Sequence, residues 1–187
     1  MPIVAVLAGG AGSRLGGAKA TALLGGRPLI AHVIEVVRAG GLEPVVVAKA
    51  DSPLPPLDCP VVFEPAQPLH PLCGIVTALR ELAQPAIVGC ACDMPFVSGP
   101  LLSWLAGKEA PLGVTSAGGE LQPLLGRYAL SLLGRLEAAL AEKLSMREVA
   151  QRLGAQVAGG AELERFGDPV KLVSSINTPA ELAAAGG

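Results

Sequence analysis

The sequence predicts a three-layer α/β/α fold in which residues 1–187 form one domain around a mostly parallel, Rossmann-like sheet. Three observations predict it. Apolar, β-branched runs alternate with helical patterns along the chain, as in a parallel sheet joined by crossover helices. Several of those runs are apolar throughout, as strands covered on both faces must be. The first run, Ile3-Val4-Ala5-Val6, opens straight into a glycine-rich loop, and open α/β sheets bind ligands beyond the carboxyl ends of their strands.

Strands are predicted over 3–7, 44–48, 61–63, 86–91, 112–115, 122–128 and 172–174, and helices over 28–39, 71–82, 99–105, 130–141, 145–153 and 179–184. Pro28 suits the first turn of the helix after the glycine loop, where a missing N–H leaves no bond unmade, and Gly40-Gly41 stops that helix. Pro53-Leu54-Pro55-Pro56 reads as a stiff surface connector before the third strand. Pro71 opens the second helix. In the apolar run Ile87-Val88-Gly89-Cys90-Ala91-Cys92, alternate residues share a face, so Cys90 and Cys92 point the same way. Pro179 opens the last helix, and the Ala/Gly-rich residues 183–187 read as a frayed tail.

Composition bounds what the chain does. Hydrophobic residues make up 51% and charged residues 16%, enough to build a substantial core and too apolar for disorder. No apolar run reaches the roughly 18 residues of a membrane span, and Met1-Pro2-Ile3 starts a strand instead of a charged leader, so a soluble cytoplasmic protein is expected, with no membrane partner. A net charge of −2 argues against a nucleic-acid surface; the positive charge that matters is local, at Arg14, Lys19 and Arg27. Cys59, Cys73, Cys90 and Cys92 lack paired metal-ligand spacing and are expected to be reduced thiols, mostly buried.

The loop Leu7-Ala8-Gly9-Gly10-Ala11-Gly12-Ser13-Arg14-Leu15-Gly16-Gly17-Ala18-Lys19 carries the strongest functional signal. Glycines let backbone N–H groups approach a ligand closely, and clustered amides form an anion-binding nest. Arg14 and Lys19 add two cations, which points to a polyphosphate. The loop is neither a P-loop, since Ala18 and Ala20 flank Lys19, nor a dinucleotide fingerprint, since Leu15 stands where the third glycine belongs. A second constellation, Cys92-Asp93-Met94-Pro95-Phe96, ends a hydrophobic strand in a carboxylate. There Asp93 either binds Mg²⁺ together with substrate phosphates or caps the next helix and organises the Met94-Pro95 turn. Pro71-Leu72-Cys73-Gly74-Ile75 offers a helix N-terminus to the nucleotide. Asn177, before Thr178-Pro179, either caps the last helix or supplies an oxygen to the cleft.

These segments in this order resemble the molybdenum cofactor guanylyltransferases: Leu-Ala-Gly-Gly-x-x-Ser-Arg-x-Gly-x-x-Lys-Ala from Leu7, Pro-Leu-x-Gly-Ile at 71–75, Cys-Asp-Met-Pro-Phe at 92–96, Gln122-Pro123-Leu124 with Tyr128, and Ile-Asn-Thr-Pro-x-x-Leu at 176–182. The resemblance implies a nucleotidyltransferase that joins GMP from GTP to molybdopterin and releases pyrophosphate. It implies nucleotide contacts from Leu7, Ala8, Gly9, Gly10, Gly12, Glu64 and Gly74, triphosphate binding by Arg14 and Lys19, and Mg²⁺ on Asp93. Gln122 and Asn177 are assigned to the acceptor side, and transient contact with cofactor-biosynthesis or acceptor proteins fits the same picture. Glu64 stands where the family usually has Asp. Two other positions depart from its pattern: Ala48-Lys49-Ala50 where some members carry an Asn after the second strand, and His70 in place of the usual Gly before Pro71. Rival readings are a molybdopterin cytidylyltransferase, another small nucleotidyltransferase, and a nucleotide-binding regulatory module without catalysis.

Overall fold

The computed structural model describes residues 1–10 and 19–186. The central strand β1 (Ile3–Leu7) lies between β4 (Glu43–Ala48) and β6 (Ala86–Ala91), parallel to both. With β5 (Val61–Phe63), β7 (Leu112–Ala117), β8 (Glu120–Ala129) and β9 (Gln156–Gly159) they form a seven-stranded sheet in the order β5-β4-β1-β6-β8-β7-β9. Among the described strands of this sheet, β8 alone runs antiparallel to both its neighbours. Sequence-adjacent strands thus run outward from β1 through β4 to β5, and the chain then crosses back to β6 on the other side of β1. This reversal is the topological switch point, where an α/β sheet leaves a crevice at its carboxyl edge.

Strand alternation sends successive residues to opposite layers. Val4, Val6, Val46 and Val88 pack beneath α1 (Leu29–Ala39) and α3 (Gly99–Ala106), whose Ile30, Val33, Leu101 and Leu105 are buried. Ala5, Val47 and Ile87 face the other layer, made by α2 (Pro71–Leu82), α4 (Leu133–Ala141) and α5 (Met146–Arg152) through Leu72, Ile75, Leu136 and Val149. The three layers are those the alternation of strands and helices predicts.

Several local expectations are corrected. Residues 172–174 are not a strand: Leu172 ends a short helix α7 (Pro169–Leu172), capped by Asp168 Oδ1 accepting from the Val170 N–H at 2.9 Å. Pro28 precedes α1, in the second strand of a small hairpin, β2 (Leu23–Leu24) with β3 (Arg27–Pro28). Gly25 and Gly26, at φ +57° and +77°, make the turn that such a two-residue hairpin demands. The helix predicted over 130–141 begins as a 3₁₀ turn, Leu130–Leu132. Edge strand β9 and helix α6 (Ala161–Glu164) carry no strong periodicity and are found only in the fold. Helix α8 (Pro179–Ala185) closes the chain, with Pro179 in its first turn as predicted.

Candidate active site

The register Leu7↔Ala91 brings the ends of β1 and β6 level at the switch point. The Cys92 N–H donates to Leu7 O at 3.1 Å and the Ala8 N–H to Val47 O at 2.8 Å, so three strand ends are tied together just where the glycine loop departs. A cleft of about 380 Å³ opens there, lined by Gly9, Gly10, Lys19, Glu64, Gly74 and Asp93 among others. His70 and Pro71 bring the N-terminus of α2 to the same rim.

At one end of the cleft Asp93 is only 5% exposed. Its Oδ2 accepts from Lys19 Nζ at 2.6 Å, and the same ammonium donates to Asn177 Oδ1 at 2.5 Å. Asp93 does not cap the next helix, because Ser98 Oγ does so by accepting from the Leu101 N–H. The Met94-Pro95 turn after it is closed by backbone, the Val97 N–H donating to Met94 O at 3.3 Å. Asn177 is likewise released from capping. Thr178 caps α8 in a reciprocal box with Glu181, leaving the Asn177 amide to donate to Ser175 Oγ at 2.7 Å and to aim its oxygen at Lys19. The Ile176 N–H donates to Asp93 O at 2.8 Å, which fixes this C-terminal segment against the loop after β6.

At the other end stands Glu64, just past β5 and 8% exposed. Its carboxylate rests on glycine: a Cβ on Gly9 would lie 1.9 Å from Oε1, and one on Gly74 would lie 3.1 Å from Oε2. Lys49, equally buried, donates Nζ to Pro65 O at 2.8 Å and sits 3.2 Å from Glu64 Oε1. Burial pushes the Glu64 carboxyl above its usual range, while the bond to Lys49 and the Cys73 thiol pull it back. Burial and the neighbouring carboxylate push the Cys73 thiol up, so it stays protonated. His70 Nδ1 caps α2 by accepting from the Leu72 N–H at 3.1 Å, and burial lowers its pKa.

Of the residues singled out by sequence, Leu7, Gly9, Gly10, Lys19, Glu64, Gly74 and Asp93 line this one cleft. Ala8 continues β1 beside it through its bond to Val47. Asn177 joins Lys19 and Asp93. Gln122 sits at the irregular β7–β8 pairing opposite Thr115 and does not line the cleft, which Leu124 of the same strand does. Gly12 and Arg14 fall outside the described residues. The residue sequence reasoning passed over is Lys49: its charge was visible, but nothing in the chain shows that Glu64 is its partner. Among the described residues no group of three or more His, Cys, Asp or Glu side chains gathers to hold a metal. The donor set at Asp93, a carboxylate oxygen and the Asn177 amide oxygen already converging on one cation, fits a hard ion that takes its remaining ligands from phosphates and water.

The profile of a family described as "MobA-like NTP transferase domain" matches residues 4–157. A molybdenum cofactor guanylyltransferase of Cereibacter sphaeroides is 35% identical over 188 aligned positions, spanning 96% of this chain and 93% of that protein. Another, from Pseudomonas putida, is 32% identical across 90% of this chain and 94% of its own. Among solved structures, molybdopterin-guanine dinucleotide biosynthesis protein A from Archaeoglobus fulgidus superposes with a TM-score of 0.82 at 28% identity, covering 98% of this chain and 96% of that one. The 2-C-methyl-D-erythritol 4-phosphate cytidylyltransferase of Thermus thermophilus shares the fold, with a TM-score of 0.68 at 20% identity over 100% and 98% of the two chains.

Proposed function

The chain belongs to the MobA-like NTP transferase domain family, and from that premise we propose that it transfers GMP from GTP to the phosphate of molybdopterin, releasing pyrophosphate. The observation that carries this reading is the cleft itself. A Lys–Asp–Asn cluster suited to a triphosphate lies at one end, and a buried carboxylate suited to a guanine edge lies at the other.

An oxygen of the acceptor's phosphate monoester attacks the α-phosphorus of GTP in line; the new P–O–P bond forms as the bond to the β-phosphate breaks. The nucleophile is already an anion, so no proton moves and catalysis rests on positioning and charge. Lys19 leaves its ion pair for the phosphate oxygens and stabilises the departing pyrophosphate, and Arg14 is assigned to the same triphosphate from sequence. Asp93, with Asn177 Oδ1, would hold Mg²⁺, which when bound offsets the repulsion between the two phosphate groups. At the base end the two Glu64 oxygens accept from N1–H and N2–H of guanine, a pair of adjacent donors that adenine, cytosine and uracil do not offer. Four free thiols, none of them in a disulfide, suit a reducing compartment, and we place the activity in the cytoplasm.

Thermal unfolding with GTP, CTP, ATP and UTP in turn, each with and without Mg²⁺, tests the reading. A ligand that binds only the folded chain stabilises it by about 2.7 kcal/mol at 100 times its Kd. A shift selective for GTP, followed by pyrophosphate release on adding molybdopterin, is the expected result. A CTP-selective shift would make the chain a cytidylyltransferase instead, and nucleotide binding with no pyrophosphate release would leave a binding module.

A further inference from the structure

The buried pair at the base end of the cleft does more than support a turn. Lys49 lies behind Glu64, outside the cleft lining, with its ammonium 3.2 Å from Oε1 and 2.8 Å from Pro65 O. An ionised carboxylate has about four acceptor positions. Lys49 faces Oε1 from behind, which leaves acceptor positions on both oxygens to face a ligand. Resting on Gly9 and Gly74, where no Cβ intervenes, the carboxylate is held at the surface of the cleft with little freedom to turn. We propose that Lys49 is a specificity-determining positioning residue, holding Glu64 as a double acceptor so that the cleft selects guanine. This rests on the reading above that Glu64 meets the base.

The logic follows from what each base presents. Guanine offers two neighbouring donors, and two carboxylate oxygens match them. A neutral acid or an amide presents one donor beside one acceptor, which matches adenine N1 with N6–H or cytosine N3 with N4–H instead. Which pattern the cleft presents therefore depends on the charge of Glu64, and that charge depends on Lys49. Removing one member of a buried ion pair leaves the other uncompensated, and a carboxylate in that position takes up a proton. Among the described residues, the other groups near Glu64 do not substitute for Lys49. From α2 come Cys73, which stays a neutral thiol, and His70, whose imidazole burial pushes toward its neutral form. The loop after β1 brings glycine, and across the cleft Lys19 is already engaged by Asp93.

The test measures dissociation constants of GTP, ATP and CTP with Mg²⁺ between pH 5.5 and 8.5, for the full chain and for Lys49→Met, Glu64→Gln and the double variant. Ratios between nucleotides cancel titration of the phosphates, which all three share. Lys49→Met is expected to lose GTP preference over ATP and CTP by about 10- to 100-fold at the acid end, the range one bidentate base contact supplies, and to regain it as pH rises. Glu64→Gln is expected to lose it at every pH. The double variant, with no buried charge left unpaired, should match Glu64→Gln, and it carries the test if Lys49→Met does not fold. A Lys49→Met protein with wild-type preference, or with a loss that does not vary with pH, overturns the proposal. So does a double variant that differs from Glu64→Gln. If Glu64→Gln itself keeps wild-type preference, the carboxylate does not read the base and the underlying reading fails first.

Discussion

Replacing Gly9 by alanine isolates the seat of the Glu64 carboxylate. The new Cβ would stand 1.9 Å from Oε1 and 2.8 Å from Cδ of Glu64, and Gly9 does not occupy the positive-φ region, so the clash is the whole perturbation. To reach an ordinary contact of about 3.4 Å the carboxylate must retreat by ~1.5 Å. That retreat displaces Oε1, the oxygen that Lys49 approaches at 3.2 Å, and disturbs the buried pair. Leaving a buried polar group without its partner costs about 1–3 kcal/mol, and in a chain of this size each kcal/mol lowers Tm by about 2–4 °C. Gly9→Ala should therefore melt roughly 2–12 °C below the parent and bind GTP at least about tenfold more weakly, the loss expected for one displaced base contact. Gly10→Ala is the internal control for stability, since a Cβ there meets nothing within 4 Å among the described residues, and its Tm should stay within a degree or two of the parent. Thermal melts of both variants decide the matter. Equal stability in the two would refute the seating of Glu64 on Gly9.

Asp93→Ala should lower pyrophosphate release by about a thousandfold or more, the scale of losing one preorganised electrostatic group. Circular dichroism and Tm should stay near the parent's, because the freed Lys19 side chain is 25% exposed and the bond to Ile176 uses the Asp93 backbone. Near-normal turnover would overturn the metal assignment. His70 titrates with a known sign. Burial lowers its folded pKa below 6.5, so below that pH the folded chain holds fewer protons than the unfolded one. Its contribution to stability is then present above about pH 6.5 and lost as pH falls through the folded pKa. Urea midpoints from pH 5 to 7.5 should show this loss, and His70→Asn, which keeps a capping acceptor without titrating, should lessen it. Tyr128→Phe removes a fully buried hydroxyl that donates to Pro123 O at 2.6 Å; urea unfolding should register a loss of about 1–2 kcal/mol.

How much of this was legible depends on where each signal lives. The bounds of β1, β5, β6 and α2 follow from sequence because each is a local apolar run or carries its own cap. Edge strand β9 is ordered by its pairing with β7, and Val157 stays exposed on it, so its residues carry little pattern alone. The Val173-Ser174 stretch looks like a strand until Asp168-Pro169 is read as a helix start, which is a stronger local signal than β-branching. In the site, Lys19 and Asp93 announce themselves, one in a glycine loop and one at the end of an apolar strand. Asn177 was ambiguous because either it or Thr178 could cap α8, and only the Glu181 N–H donating to Thr178 Oγ1 at 3.2 Å decides for Thr178. Lys49 and Glu64 are 15 positions apart by their numbers in the chain, and they meet only through the β4–β5 register, which no local pattern encodes.

Among the described residues, two lysine–carboxylate pairs of opposite character thus flank the cleft, and the burial of the lysine separates their roles. In the Lys19–Asp93 pair the carboxylate is buried but the lysine side chain keeps a quarter of its surface in contact with solvent, so the ammonium can turn from one anion to another without being drawn out of the core. That is what a group must do if it is to take a phosphate and then release pyrophosphate. In the Lys49–Glu64 pair both side chains are more than nine-tenths buried, and parting them would strand a charge in the core. A pair that cannot part is useless for turnover and well suited to recognition, because it presents the same acceptors to every base that arrives. The switch-point topology puts both in one crevice: β1 and β6 supply the loop ends that carry the exchangeable pair, and β4 and β5 supply the fixed one. Substituting in the first pair should therefore act on rate, and in the second on which nucleotide is chosen.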